Sequence, residues 1–345
     1  MNTIDTLGFL RSVSRFTENK YDDRELFKSY LLDRSNNYEI LLQIHKLQYI
    51  FIKKLFDYDC SEHTRRITRE NFSSQLLSLQ FLYKEYLEIL SQLCKDFENE
   101  NITYCILKGF SITEALYNIE GVIYRPFSDI DILISPNHLS KAQLLLEKYN
   151  FIQGKIKGRH LMKAARSELI YWKLNSHQLH EYIKYSKYSN ISPMFSITID
   201  INTTIFEGGI YTDPIPMDVL FQNTITKEFS NISIKCLNPT FELLQLCYHF
   251  YKDTKYEIKA KTHENYCLLK FCDIREYIKR YYNDIRWNDF LNITNDAKIG
   301  DQIYYSLSMV SNFYNDLNIS DILKQIKTTF LSDSQEIDWH ALLIQ

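Results

Sequence analysis

The feature that most limits the fold is a change of hydrophobic period along the chain. From about Tyr21 to Phe97 apolar residues recur at helical spacing, most clearly as Leu76, Leu79, Leu82, Tyr86, Leu90, Leu93 and Phe97, with Lys84, Glu85, Glu88 and Lys95 between them. Short β-branched and aromatic runs then take over: NITYCILKG, FSDIDILIS, MFSITIDINTTIF and NISIKCLNP. SITEALYNI and HLSKAQLLLEKYNF between them return to helical spacing. From Pro239 onward the helical period persists, through PTFELLQLCYHFYKD and NYCLLKFCDIREYIKRYYNDI to segments around Ile303 to Leu317, Ile319 to Phe330 and Ile337 to Leu343. Strands alternating with helices between two helical stretches predict an α/β core with helical flanks.

Composition narrows the functional classes. With 345 residues, 45% hydrophobic and 24% charged, the chain has ample material for a core and no disordered or fibrous bias. A net charge of −3 gives no global attraction to nucleic acid or membranes. Seven scattered cysteines, with no CxxC pair, argue against a disulfide framework or zinc site and for reduced thiols in the cytoplasm. The N-terminus lacks the apolar stretch of a signal peptide, and LLQIHKLQYIFIKKLF is broken by His45, Lys46, Lys53 and Lys54. The expectation is a cytoplasmic protein without a membrane partner.

Within RPFSDIDILIS, Asp129 and Asp131 share one face of a strand that otherwise reads as buried. In the strand around Asp200, Ile197, Ile199 and Ile201 form the apolar face, and Thr198, Asp200 and Asn202 the polar one. If the two strands are neighbours, three carboxylates converge. Repulsion and burial make such a cluster costly unless a cation sits within it, and hard oxygen ligands favour Mg²⁺. Asp129, Asp131 and Asp200 are therefore the candidate catalytic and metal-binding residues. Two ions about 3.5–4 Å apart would suit an in-line displacement, with Asp129 and Asp131 bridging both and Asp200 on the catalytic ion. The bland alternative is a solvent-facing D-x-D pair and a surface or capping Asp200.

LKGFSITEALY adds a strand, a glycine and a helix start, the arrangement in which free backbone N–H groups face a phosphate. Gly109 permits close backbone approach. Ser111 reads either as a phosphate donor or, with Glu114, as a capping box. Lys108 and Arg125 are flanking cations that would contact a triphosphate or simply pair with carboxylates. The basic stretch from Lys155 to Arg166, and His177, His180 and His249, are further candidates whose ordinary roles are a solvated face and structural histidines.

Taken together, LKGFS, RPFSDIDILI and ITIDIN resemble the polymerase-β-like nucleotidyltransferase superfamily. More closely, Leu107-Lys108-Gly109, Tyr117, Arg125 and Asp129-Ile130-Asp131 resemble the bacterial family of uncharacterised nucleotidyltransferases, over roughly residues 75 to 295. Phe110 stands where the superfamily usually has a small residue, and Asn202 where the closer family often has His. The resemblance implies an α/β (α+β) fold, a small mixed-sheet core over 100–237 between helical regions 1–99 and 238–345. It also implies transfer of a nucleoside monophosphate from an NTP to a hydroxyl or phosphate acceptor, releasing pyrophosphate, with two Mg²⁺ ions on the three aspartates. Gly109, Ser111, Lys108 and Arg125 would serve the nucleotide. A small-molecule or peptide acceptor is favoured over RNA. Two alternatives stand beside it: a silent nucleotide-binding scaffold of the same fold, and an RNA-modifying toxin.

Overall fold

A computed structural model describes residues 3–33, 37–191, 196–206, 214–230, 232–255 and 267–328. The chain opens with α1 (Thr3–Ser14), α2 (Tyr21–Leu32), α3 (Tyr38–Ile44), α4 (Gln48–Asp57) and the 34-residue α5 (Arg66–Asn99). Next come β1 (Tyr104–Ile106), α6 (Phe110–Tyr117), a small hairpin of β2 (Asn118–Ile119) and β3 (Val122–Ile123), β4 (Ile130–Ile134) and α7 (Leu139–Lys148). They are followed by β5 (Ile152–Lys157), β6 (His160–Lys163), α8 (Arg166–Asn175), β7 (Tyr182–Tyr185), β8 (Ser196–Asn202), α9 (Met217–Gln222), β9 (Thr224–Phe229) and β10 (Ile232–Leu237). The chain closes with α10 (Pro239–Lys255), α11 (Leu268–Tyr281), α12 (Trp287–Asp296), α13 (Gly300–Tyr314) and α14 (Ser320–Gln325). The helical segment expected at Ile337 to Leu343 lies outside the described residues.

These elements form two compact units, residues 1–78, 124–126 and 246–345 in one and residues 79–123 and 127–245 in the other. Helices α5 and α10 are each divided between the two, while α1 to α4 and α11 to α14 share one unit. Its core is aromatic: Phe9 stacks on Tyr30 at 4.2 Å between centroids, and Phe27 and Phe51 lie 5.5 Å apart. Such pairs add about 0.5–1.5 kcal/mol each beyond the area they bury.

The second unit holds a mixed eight-stranded sheet in the order β6-β5-β7-β8-β4-β1-β10-β9. β4 pairs parallel with β8 and β1 parallel with β10; the remaining pairs are antiparallel. Central β4 is buried on both faces, which is why IDILI reads as a nearly continuous apolar run. Strands β5, β6, β7 and β9 were not anticipated. β5 and β6 sit in the basic stretch, where lysines alternate with sparse apolar residues and the period-2 signal is faint. The tight pairing is nevertheless sequence-encoded, because a Cβ at Gly154 would meet the Met162 carbonyl oxygen at 2.0 Å.

All seven cysteines are buried and none forms a disulfide. Among the described residues no helix is long and apolar enough to cross a membrane.

Candidate active site

The parallel register of β4 on β8 sets Asp131 directly opposite Asp200. With a period of two, Asp131 and Asp200 project from the same face of the sheet, and Asp129 belongs to that face one residue before β4 begins. Asp131 is 3% exposed; Asp129 is half-buried.

The polar partners of this pair are distinct. Asp131 accepts from Lys108 Nζ at 2.9 Å through Oδ2 and from Asn202 Nδ2 at 3.1 Å through Oδ1. Asp200 Oδ2 accepts from Gln178 Nε2 at 3.1 Å. Asp200 Oδ1, sealed from solvent, has no hydrogen-bond partner among the described residues. Burial raises the Asp200 pKa to about 8, and the neighbouring Asp131 and Asp129 charges push the same way. An orphaned carboxylate oxygen beside a second carboxylate is a configuration that a cation relieves.

Gly109 caps α6 with φ +48°, in the region that favours glycine. A Cβ built there would lie 3.9 Å from Asp131 Oδ2, so the turn runs close past the carboxylate. Phe110, where a small residue was expected, turns its ring into the core, stacked on Tyr83 at 6.0 Å and edge-on to Phe127 at 6.1 Å. The bulky side chain therefore leaves the backbone at Gly109 uncovered by its own ring.

Ser111 and Arg125 have partners of their own. Ser111 forms no capping box, because α6 begins at Phe110 after Gly109. Its buried hydroxyl donates instead to Glu242, which also accepts from Lys227 Nζ at 2.9 Å. Fully buried and committed to Glu242, Ser111 anchors the start of α6 from behind and is poorly placed as a phosphate donor. Arg125 belongs to the helical unit, where Nε and Nη2 bind Asp273 at 2.9 and 2.8 Å. Lys108 follows its second reading, a partner for Asp131. Of the histidines, His249 lies 3.7 Å from Asp253 in the helical unit, and His180 is buried edge-on to Trp172. The segment bearing His177 runs beside β8, its carbonyl accepting from Thr203 N at 2.8 Å.

Two supporting residues escaped the sequence reading. Tyr86, fully buried on α5, donates its hydroxyl proton to Ser128 O at 2.7 Å and accepts from Thr198 N at 2.9 Å. One phenol thus ties the backbone just before Asp129 to that just before Asp200. Burial holds its pKa far above the ordinary value. Gln178 sits in an irregular segment bridged to Asn202. Neither had a readable signal: Tyr86 is one aromatic among 26 tyrosines, placed at a core position of a helical stripe.

Among the described residues no three His, Cys, Asp or Glu side chains stand as a ready metal cluster. At Asp131 the Lys108 ammonium holds Oδ2 at 2.9 Å. The donor set itself, hard carboxylate oxygens with one orphaned atom, fits Mg²⁺ in kind.

Fold and site together describe a mixed-sheet α/β protein with paired aspartates on adjacent strands beside a glycine-capped helix start. The family described as uncharacterised nucleotidyltransferase matches residues 36–315, and the chain belongs to it. This membership supports a general nucleotidyl-transfer function. No curated protein matches the chain. A crystal structure of an antigenic nucleotidyltransferase-like protein from Paracoccidioides brasiliensis is similar at 16% identity with a TM-score of 0.40, covering 71% of this chain and 95% of that one. At that score it carries no part of the argument.

Proposed function

We propose that the chain is a Mg²⁺-dependent nucleotidyltransferase that moves a nucleoside monophosphate from an NTP to a hydroxyl or phosphate acceptor, with release of pyrophosphate. The observation that carries this reading is the register pair Asp131–Asp200, with one buried oxygen left unpartnered. Asp129, Asp131 and Asp200 would hold the divalent cations. When bound, these would neutralise the phosphates and lower the pKa of an acceptor oxygen. The Gly109 turn offers backbone N–H groups to the triphosphate. Lys108 would exchange its contact with Asp131 for one with a phosphate oxygen as the nucleotide enters. Asn202 and Gln178 orient the two carboxylates by donating to one oxygen of each.

The test is calorimetric titration of ATP, GTP, CTP and UTP with and without Mg²⁺, on the natural chain and on Asp129→Asn/Asp131→Asn. Binding that needs Mg²⁺ and disappears in the variant supports the assignment. Binding that ignores both metal and substitution removes the aspartates from the site.

A second reading has one observation in its favour. The Lys108–Asp131 ion pair already neutralises part of the cluster, as a nucleotide-binding scaffold without catalysis would allow. Binding of Mg-NTP without pyrophosphate release, across small-molecule and peptide acceptors, would support it.

A further inference from the structure

At the far edge of the sheet, β5, β6 and α8 carry a charge and an apolar pattern unlike the rest of the chain. Residues 155–175 contain six cations (Lys155, Lys157, Arg159, Lys163, Arg166 and Lys173) and one acid, Glu168. The segment is +5 in a chain of −3, so the remaining residues sum to −8. All six cations are exposed. Lys155 approaches Glu168 at 3.4 Å, and the other five form no ion pair among the described residues.

The hairpin geometry pushes this charge outward. Lys157 pairs with His160, leaving a two-residue turn whose Gly158 has φ +63° and whose tip is Arg159. The Tyr185 hydroxyl holds the turn, donating to Arg159 O and accepting from Leu161 N, both at 2.8 Å.

Beside the hairpin, α8 has no buried residue. Ile170, Tyr171 and Leu174, at i, i+1 and i+4 along the helix, share one face and are 48%, 65% and 68% exposed. Trp172 and Met162 add 36% and 47% exposed apolar surface in the same segment. An apolar helix face left in water among cations marks a surface that some partner covers.

We propose that this edge is a docking surface for an anionic lipid bilayer, on which the chain lies without crossing it. Charge complementarity selects the partner. Lipid headgroups supply a continuous negative field that attracts the +5 edge, while the remaining residues sum to −8. The aliphatic side chains decide against a nucleic-acid strand. Tyr171 and Trp172 would stack on bases, but Ile170, Leu174 and Met162 gain only from an apolar medium, which the acyl boundary provides. Tyr and Trp in turn favour the headgroup level. The proposal departs from the sequence expectation of no membrane partner, which rested on net charge and hydropathy; lying on the surface needs only one short apolar face and flanking cations. This proposal does not depend on nucleotidyl transfer.

The experiment is flotation of the full chain with phosphatidylcholine vesicles, with and without phosphatidylglycerol, at low and high salt. Trp172 fluorescence and thermal melting are followed in parallel. The expected result is binding to the anionic vesicles only, with a blue shift in emission and release by salt. Lys157→Glu/Arg159→Glu should weaken binding at least about 25-fold, as each cation contributes about fivefold. Ile170→Ser/Leu174→Ser should weaken it about tenfold, and both variants should melt like the natural chain. Absence of binding to anionic vesicles at low salt would overturn the proposal. So would unchanged binding by Ile170→Ser/Leu174→Ser, or capture of single-stranded oligouridylate in place of the vesicles.

Discussion

The helical and the α/β unit both bury charge, but they balance it differently. In the helical unit Arg275 is fully buried, donating to Asp316 at 2.6 Å and to Glu276, with Glu18 at 2.8 Å. Lys279 pairs with Glu18, and Arg15 binds Asp23 at 2.7 Å. The acids of this network each face a cation within the unit. In the α/β unit Asp131 and Asp200 face each other across a strand pair with Asp129 beside them, and Lys108 is the cation that the hydrogen bonds place among them. The helical network sets its acids against cations of its own. The aspartate site is open: burial and the neighbouring carboxylates hold Asp200 towards its neutral form, a perturbation that a bound cation would reverse and that marks a ligand site more than a structural ion pair.

The largest effect should come from opening the aspartate site further. Asp131→Asn or Asp200→Asn is expected to lower nucleotidyl transfer at least about 10³-fold in a pyrophosphate-release assay. Asp200→Asn should at the same time raise stability by roughly 1–2 kcal/mol at neutral pH, because the buried carboxyl, with its pKa near 8, must take up a proton on folding and the amide need not. Loss of stability in that variant would erase the contrast between the units.

Arg275→Ala should do the opposite. It strands Glu276 and Asp316 without their partner and is expected to cost about 3–5 kcal/mol in denaturant unfolding. A neutral result would mean that the helical network is as dispensable as a surface pair.

Alkaline pH offers a third comparison. Burial lowers the Lys54 pKa to about 8, although its ammonium donates to Glu18 O at 2.6 Å and Asn19 Oδ1 at 2.8 Å. In the unfolded chain the group titrates near 10.5, so between about 8 and 10.5 the unfolded state holds more protons than the folded one. The Lys54 contribution to stability should therefore rise with pH across that window, by up to about 3 kcal/mol, against the opposite contribution of the buried thiols, which burial keeps protonated in the folded chain. Lys54→Met should flatten that rise, read as the difference in unfolding midpoint between pH 8 and 10. An unchanged slope would show Lys54 to be solvated.

The smallest effect sharpens the geometry. Tyr86→Phe removes one hydroxyl and leaves Ser128 O and Thr198 N without it, a cost of about 1–2 kcal/mol. If Tyr86 positions the aspartates, kcat should fall with KM for the NTP little changed. A stability loss with unchanged kcat would make it a packing residue alone.

Much of the sheet was legible because its central strands are strongly patterned. IDILI, ITIDIN and SIKCL announce β4, β8 and β10 through apolar period and turn residues, and Gly109 announces the start of α6. The sheet's outer strands were hidden because edge positions tolerate lysines, which the eye reads as a solvated run. The partners of Ser111 and Arg125 were hidden for a different reason. A hydroxyl or a guanidinium has several satisfying partners at a given spacing, and Glu242 and Asp273, 131 and 148 residues away, were invisible locally.

By itself the sequence determined which residues could share a face: Asp129 with Asp131, Asp200 with Asn202. The alternation of a strand follows from local backbone geometry and needs no knowledge of the fold. Only the tertiary structure decided that β4 lies parallel on β8 in the register that sets Asp131 opposite Asp200, because strand pairing is long-range and a one-residue slip would turn one carboxylate to the other face. Tertiary structure likewise decided which charges were balanced, Arg275 by acids up to 257 residues distant in sequence, and which were left facing a place for a cation.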